Sequence, residues 1–170
     1  MLNSAVSIQT AESHIRCKSV RGVDLTANSA AREALILIAR RWVALGWQRG
    51  DAEGVLARYA PDFVDLGHPS GRPGTAAENV AGLRELYAAF PDFTTTIADL
   101  IVDEVAGSGA VRWSATGTHR GMFFGAEPTG RQITFAGIET LRVRDGLIIE
   151  RTGEWDGLSL LRQLGIAARF

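Results

Sequence analysis

Pro91 divides the hydrophobic pattern of this chain into two parts with different periods, and that division limits the fold more than any other feature. Before it, apolar residues recur three or four apart: Leu35, Ile38, Trp42 and Leu45 in one run, Val80, Leu83, Tyr87 and Phe90 in another. That spacing lines one face of an α-helix. After it, the runs Phe93 to Val105, Ala110 to His119, Ile133 to Val143 and Leu147 to Trp155 are rich in branched and aromatic residues and are separated by glycine-bearing turns. They read as an antiparallel meander. Helices first and strands afterwards give an α+β fold with helices packed on the concave side of a curved, mainly antiparallel sheet, closing a cone. A ligand in such a cone is expected at its mouth or inside it.

Local signals mark the boundaries. Ser29 stands where the first helix could be capped, and Asp51 where a second, carrying Val55, Leu56 and Tyr59, could begin. Pro61 is expected to stop that second helix, and Asp62 to Leu66 reads as a short extended piece. The two prolines and three glycines between Gly67 and Gly74 mark a loop. Thr75 followed by Glu78 is a capping-box pattern for the third helix, which Pro91 closes. A final helix carries Leu158, Leu161 and Leu164, with Gly165 as its stop. Residues 1–28 lack a sustained period and are read as an extension, leaving 29–170 as one domain.

Composition narrows the partners. Lys and Arg number 18 against 19 acidic residues, a net charge of -1 that provides no field for nucleic acid or an anionic membrane. The one cysteine, Cys17, has no partner for a disulfide or a zinc site, which suits a reducing cytoplasm. The beginning of the chain lacks a secretory pattern, and no apolar run is long enough to span a bilayer. His14, His68 and His119 have no close-spaced ligand partners, so no metal is expected. No phosphate-binding glycine loop and no nucleophile elbow occurs.

The last hairpin can be read in more detail. Ile133, Phe135, Gly137, Glu139, Leu141 and Val143 alternate onto one face of their strand, and Leu147, Ile149, Arg151, Gly153 and Trp155 onto one face of the next. A two-residue turn at Asp145 and Gly146 would mismatch these faces. A three-residue loop from Arg144 to Gly146 matches them, pairing Leu141 with Ile149, Glu139 with Arg151 and Phe135 with Trp155. An unpaired charge on this inner face would cost several kcal/mol, so Glu139 and Arg151 are expected to meet. Glu139 could then act as general base, or Arg151 could polarise a substrate oxygen; equally, the pair could do no more than bridge two strands. Trp113 and His119 share an inward face, the first as cavity wall, the second as acid–base group or as a rim residue held by backbone. Asp65 and His68 could form an acid–base pair at the mouth, or Asp65 could stabilise a turn. Asp156 is read as the cap of the last helix.

Six strings occur in order: YAPDFVD from Tyr59, FPDF from Phe90, VRWSATGTHRG from Val111, PTGR from Pro128, RDGLIIE from Arg144 and WDGLSLLRQLG from Trp155. Together they resemble the SnoaL-like polyketide cyclases of the nuclear-transport-factor-2-like superfamily. The resemblance implies a cone-shaped barrel, commonly a homodimer, with a largely apolar pocket and no metal or organic cofactor. It also implies a cyclase or isomerase using a pocket carboxylate for proton transfer on a small apolar carbonyl compound. Relatives include epoxide hydrolases and non-catalytic binding modules, so the fold leaves the reaction open. Arg151 and Gly153 occupy inner positions where a cyclase carboxylate would have been persuasive.

Overall fold

In a computed structural model, residues 25–68 and 70–166 are described. The elements follow the order α1 (Leu25–Arg49), α2 (Ala52–Leu56), β1 (Tyr59–Asp65), α3 (Ala76–Ala89), β2 (Thr94–Asp103), β3 (Ser108–Thr118), β4 (Gln132–Arg144), β5 (Leu147–Trp155) and α4 (Gly157–Leu164). The strands form one sheet in the order β1-β5-β4-β3-β2, antiparallel throughout except that β1 runs parallel to β5. This is the α+β fold with a curved, mostly antiparallel sheet that the change of period at Pro91 implies.

The helices close the sheet's inner face by burying the stripes read from the sequence. Trp42 and Val43 of α1, Val80 and Leu83 of α3 and Leu160 of α4 are almost fully excluded from solvent, and they share one core with Val111, Ala115, Ile133 and Ile148 of the sheet. Thr75 and Glu78 form the capping box at the start of α3, each side chain accepting from the other's backbone N–H. Asp51 caps α2 by accepting from the Gly54 amide at 2.8 Å, and Asp156 caps α4 through the Ser159 amide at 2.9 Å. Gly165 ends α4 at φ 76°, a left-handed conformation open to glycine at little cost.

Several boundaries differ from the sequence reading. Helix α1 begins at Leu25, so Ser29 lies inside it and the break placed at residue 28 falls within a helix; residues 1–24, with His14 and Cys17, lie outside the described residues. Tyr59 belongs to β1 rather than α2, and Pro61 sits within that strand. Proline is tolerated there because β1 is an edge strand, where a missing N–H need not break a ladder on both sides. Val105, expected in β2, lies in the turn beyond it and is exposed. On α4 the buried pair is Leu160 and Leu164, one helical turn apart, while Leu158 faces outward.

The hairpin of β4 and β5 carries the most informative correction. Its turn has two residues: Arg144 faces Leu147, and Asp145 and Gly146 both take positive φ, 53° and 77°. That is the backbone of a type I′ turn, whose twist matches the strands it joins. The face mismatch that such a turn creates is absorbed by a bulge at Ile149, because Val143 pairs with Ile148 while Arg142 pairs with Glu150. Beyond the bulge Leu141 faces Arg151, Glu139 faces Gly153 and Gly137 faces Trp155, two residues from the expected register. A slip of two preserves every face. Glu139 and Arg151 therefore still point inward together, as diagonal neighbours.

Candidate functional site

Strand β5 lies between β4 and β1, so Arg151 has an inner-face neighbour on each side. Its Nε and Nη2 donate to the two carboxylate oxygens of Glu139 at 2.7 and 2.9 Å. Its Nη1 donates to both oxygens of Asp65, the residue beside it in the parallel ladder, at 3.0 and 2.9 Å. All three side chains are buried. The expected contact of Glu139 with Arg151 is present, and a second carboxylate joins it.

Glycine makes this arrangement possible. A Cβ on Gly153, opposite Glu139, would stand 2.2 Å from Arg151 Nη2 and 2.4 Å from Glu139 Oε2, so no other residue type fits without separating the pair. Asp65 is fixed by further partners: it accepts from the Gly67 amide at 3.0 Å and from Asn79 Nδ2 at 2.8 Å. Asn79 Oδ1 accepts from the Tyr59 hydroxyl at 2.7 Å, and the Tyr59 oxygen accepts from Trp42 Nε1 at 3.0 Å. A hydrogen-bonded chain thus runs from Trp42 on α1 through β1 and α3 to β5 and β4. Such networks hold a polar group in one geometry when every member is satisfied.

Burial and pairing compete over the charges. Burial raises the Glu139 carboxyl above the usual range, and the opposing pull of Arg151 does not cancel it. Burial also works against the Arg151 charge, but Glu139 and then Asp65 outweigh it and hold the guanidinium protonated. The Tyr59 phenol is pushed up by burial, so it remains a donor to Asn79.

Arg151 borders two adjoining cavities. The larger, about 540 Å³, is walled mainly by aromatic and aliphatic side chains, among them Trp47, Leu86, Phe93, Trp113, Phe135 and Trp155. The smaller, about 380 Å³, has a mixed lining in which Asp65, His68, Glu78, Asn79 and Glu85 stand beside apolar residues such as Leu83. Trp47, Gly82, Glu85, Arg151 and Trp155 belong to both. Trp47 also sets its ring 6.0 Å from the Arg151 guanidinium carbon, within reach of a cation–π interaction. Glu139 lines neither cavity; it stands behind Arg151.

The remaining candidates separate. Trp113, Phe135 and Trp155 form a run of edge-to-face rings, with centroids 5.5 and 5.7 Å apart, on the wall of the larger cavity. His68 lines the smaller cavity, but its Nδ1 meets the Ser70 hydroxyl at 2.7 Å rather than Asp65. The acid–base pair of Asp65 and His68 is therefore not formed. His119 is fully buried, away from Arg151: its Nδ1 accepts from the Thr129 amide at 3.2 Å, and its ring packs against Phe90 and Phe123. It lines neither cavity, which fits the backbone-held reading.

Trp47, Asn79, Tyr59 and Glu85 were not singled out from the sequence. Asn79 offered a signal, since it precedes Leu83 by one helical turn and so places an amide on the buried face of α3. Among the described residues no three His, Cys, Asp or Glu side chains gather as a metal site, and no helix is long and apolar enough to cross a membrane.

Comparison with known proteins agrees with this architecture. The family model of the SnoaL-like polyketide cyclases matches residues 37–164. AclR from Streptomyces galilaeus, named as a candidate hydroxylase, superposes with a TM-score of 0.69 at 31% identity, covering 80% of this chain and 96% of its own. IdmH from Streptomyces antibioticus, named as a candidate polyketide cyclase, gives 0.67 at 29% identity, covering 78% and 99%. TsrD from Streptomyces laurentii gives 0.69 at 24% identity, covering 80% and 98%, and shows the shared fold alone. A search of curated proteins finds no significant match. By the family model and by these structures, the chain belongs to the SnoaL-like polyketide cyclase family.

Proposed function

We propose that this protein catalyses an acid–base proton transfer on a small, largely apolar carbonyl compound, as a cyclase or isomerase does. The observation that carries this reading is the position of Arg151, a buried cation on the wall of an apolar cavity, fixed by carboxylates from two other strands. Its Nε, Nη1 and Nη2 each serve a carboxylate, yet a guanidinium has five N–H groups. The second Nη2 hydrogen is thus available to a substrate oxygen. A carbonyl bound there would be polarised, and negative charge developing on its oxygen would be stabilised in a site with few competing waters. Asp65 lines the adjoining smaller cavity, and in this reading it takes a proton from the carbon next to the carbonyl and returns it to product. Glu139 acts through Arg151, holding its orientation from behind.

A second reading has a specific observation in its favour. Opening of an epoxide by activated water calls for two acidic residues about an arginine, and Asp65 and Glu139 take those places about Arg151. Asp65 would take a proton from the water that attacks the ring carbon, and the oxygen freed as the C–O bond breaks, held by Arg151, would take a proton from solvent, with Glu139 fixing Arg151 from behind.

Both readings share a test. Exchange of α-protons for deuterium in aryl alkyl ketones, followed by NMR, measures the first activity, and diol formation from aryl epoxides the second. Arg151→Met and Asp65→Asn are expected to lower the relevant rate at least about a hundredfold. Glu139→Gln should lower it less, and His119→Phe within a few-fold. Equal rates in wild type and Arg151→Met would remove Arg151 from the chemistry; exchange absent with diol formed would select the second reading.

A further inference from the structure

The hydrogen-bonded chain that ends on Asp65 has a direction, and Trp42 sets it. An indole nitrogen carries a hydrogen and has no lone pair to offer, so Trp42 Nε1 can only donate to the Tyr59 oxygen, at 3.0 Å. The single hydrogen of the Tyr59 hydroxyl then goes to Asn79 Oδ1, at 2.7 Å. This turns the other end of the amide, Nδ2, toward Asp65 Oδ2, at 2.8 Å. Every link donates toward Asp65. The opposite amide orientation would set Asn79 Oδ1 against a carboxylate oxygen and bring two donors onto the Tyr59 oxygen. The Tyr59 hydrogen would then have no acceptor in the chain, and all four side chains are buried away from water that could replace one.

A protonated Asp65 Oδ2 would need an acceptor where Asn79 now places a donor. Supplying one means turning the amide, and turning the amide strands the Tyr59 hydrogen. The chain therefore opposes a proton on Asp65 from two hydrogen bonds away. Other groups act on the same carboxylate. Arg151 of β5 and the Gly67 amide favour the anion. Glu139 of β4, on the far side of Arg151, and Glu78 and Glu85 of α3 oppose it, and His68 lines the same cavity. Among the described residues none of these is hydrogen-bonded to the side chain of Trp42 or Tyr59, so changes at those two positions separate the effect of the chain from theirs.

We propose that Trp42 and Tyr59 are positioning residues for Asp65: by fixing Asn79 as a donor they hold the Asp65 carboxylate in its ionised, proton-accepting form, although neither bonds to it. The bearing of this on turnover rests on the reading of Asp65 as the base; the effect on Asp65 itself does not.

Tyr59→Phe removes one oxygen and keeps the ring that stacks on Phe63 at 3.8 Å, so it breaks the chain without opening the core. Carboxyl 13C resonances of aspartate-labelled protein, with Asp65 assigned by its loss in Asp65→Asn, follow the protonation of this residue as pH is lowered. Asp65 is expected to bind a proton at least about threefold more tightly in Tyr59→Phe than in wild type, and about tenfold more tightly in Asn79→Leu, which removes the donor outright. Trp42→Phe should act in the same direction by less. Val43→Ala, a core truncation beside Trp42 that leaves every link in place, should leave the titration of Asp65 where it is. A titration in Tyr59→Phe that coincides with wild type, or an equal displacement in Val43→Ala, overturns the proposal. Deuterium exchange into aryl alkyl ketones is measured alongside, and the acid limb of its rate should move to higher pH in Tyr59→Phe with KM unchanged. A displaced titration with an undisplaced acid limb upholds the role of the chain and removes Asp65 as the base.

Discussion

Two arginine–glutamate pairs in this molecule are chemically the same and behave in opposite ways. Arg72 and Glu78 meet at the surface, at the start of α3, and there the Arg72 hydrogen bond, aided by the Thr75 backbone, pulls the Glu78 carboxyl down to about 2. Arg151 and Glu139 meet inside the cone with comparable hydrogen bonding, yet the Glu139 carboxyl is raised, because burial outweighs its partner. The difference teaches that a salt bridge does not by itself fix the charge of its carboxylate. Solvent decides how much the partner can do.

The largest expected effect lies in removing the two arginines. Arg151→Met leaves two buried carboxylates facing each other and should cost about 3–5 kcal/mol in urea denaturation. Arg72→Met, at an exposed pair, should be indistinguishable from ordinary surface substitutions. Similar losses in both would break the comparison.

A smaller effect is expected at Gly153. Gly153→Ala adds only one carbon, but it places that carbon against Arg151 Nη2 and both Glu139 oxygens. A cost of about 2 kcal/mol follows from the overpacking. A stability equal to wild type would mean that the contact of Arg151 with Glu139 relaxes freely.

The smallest effect concerns the sign of a slope. Glu78, held low in the folded state, contributes stability above the ordinary carboxylate range, and this is lost as pH falls from about 4.5 toward about 2. Glu139, held high, contributes in the opposite sense: its share is present below the ordinary value and is lost as pH rises through its raised folded value. On acidification, the stability of wild type relative to Glu78→Gln should fall and that relative to Glu139→Gln should rise. Thermal melts of the three proteins between pH 7 and 2.5 measure both slopes. Slopes of the same sign would show that burial does not govern Glu139.

These contrasts also explain what could be read from the sequence. Alternation alone placed Trp113, Phe135, Glu139 and Arg151 on inner faces, because a strand's side chains have no third direction. The contact between Glu139 and Arg151 was legible for the same reason, although its register was not. Choosing a loop by matching faces assumes regular strands, and the bulge at Ile149 has no compositional mark. For Asp65 the sequence offers only His68 or a turn, because its actual partners are remote: Asn79 lies on a helix and Arg151 on the strand at the other end of the domain sequence, and only the parallel pairing of β1 with β5 brings Asp65 beside Arg151. Tyr59 was assigned to a helix because Pro61 looked like a stop, whereas the edge position of β1 accommodates it.

Gly153 has a consequence for how this scaffold can change over time. A glycine codon lies one base change from an aspartate codon, and a carboxylate on this inner-face position would be an obvious route to a different proton-transfer centre. That route is closed while Arg151 clasps Glu139, because the first carbon of any new side chain occupies the space of the clasp. A lineage carrying this clasp must first lose the arginine or the glutamate, passing through a less stable protein, before a carboxylate at position 153 becomes accessible.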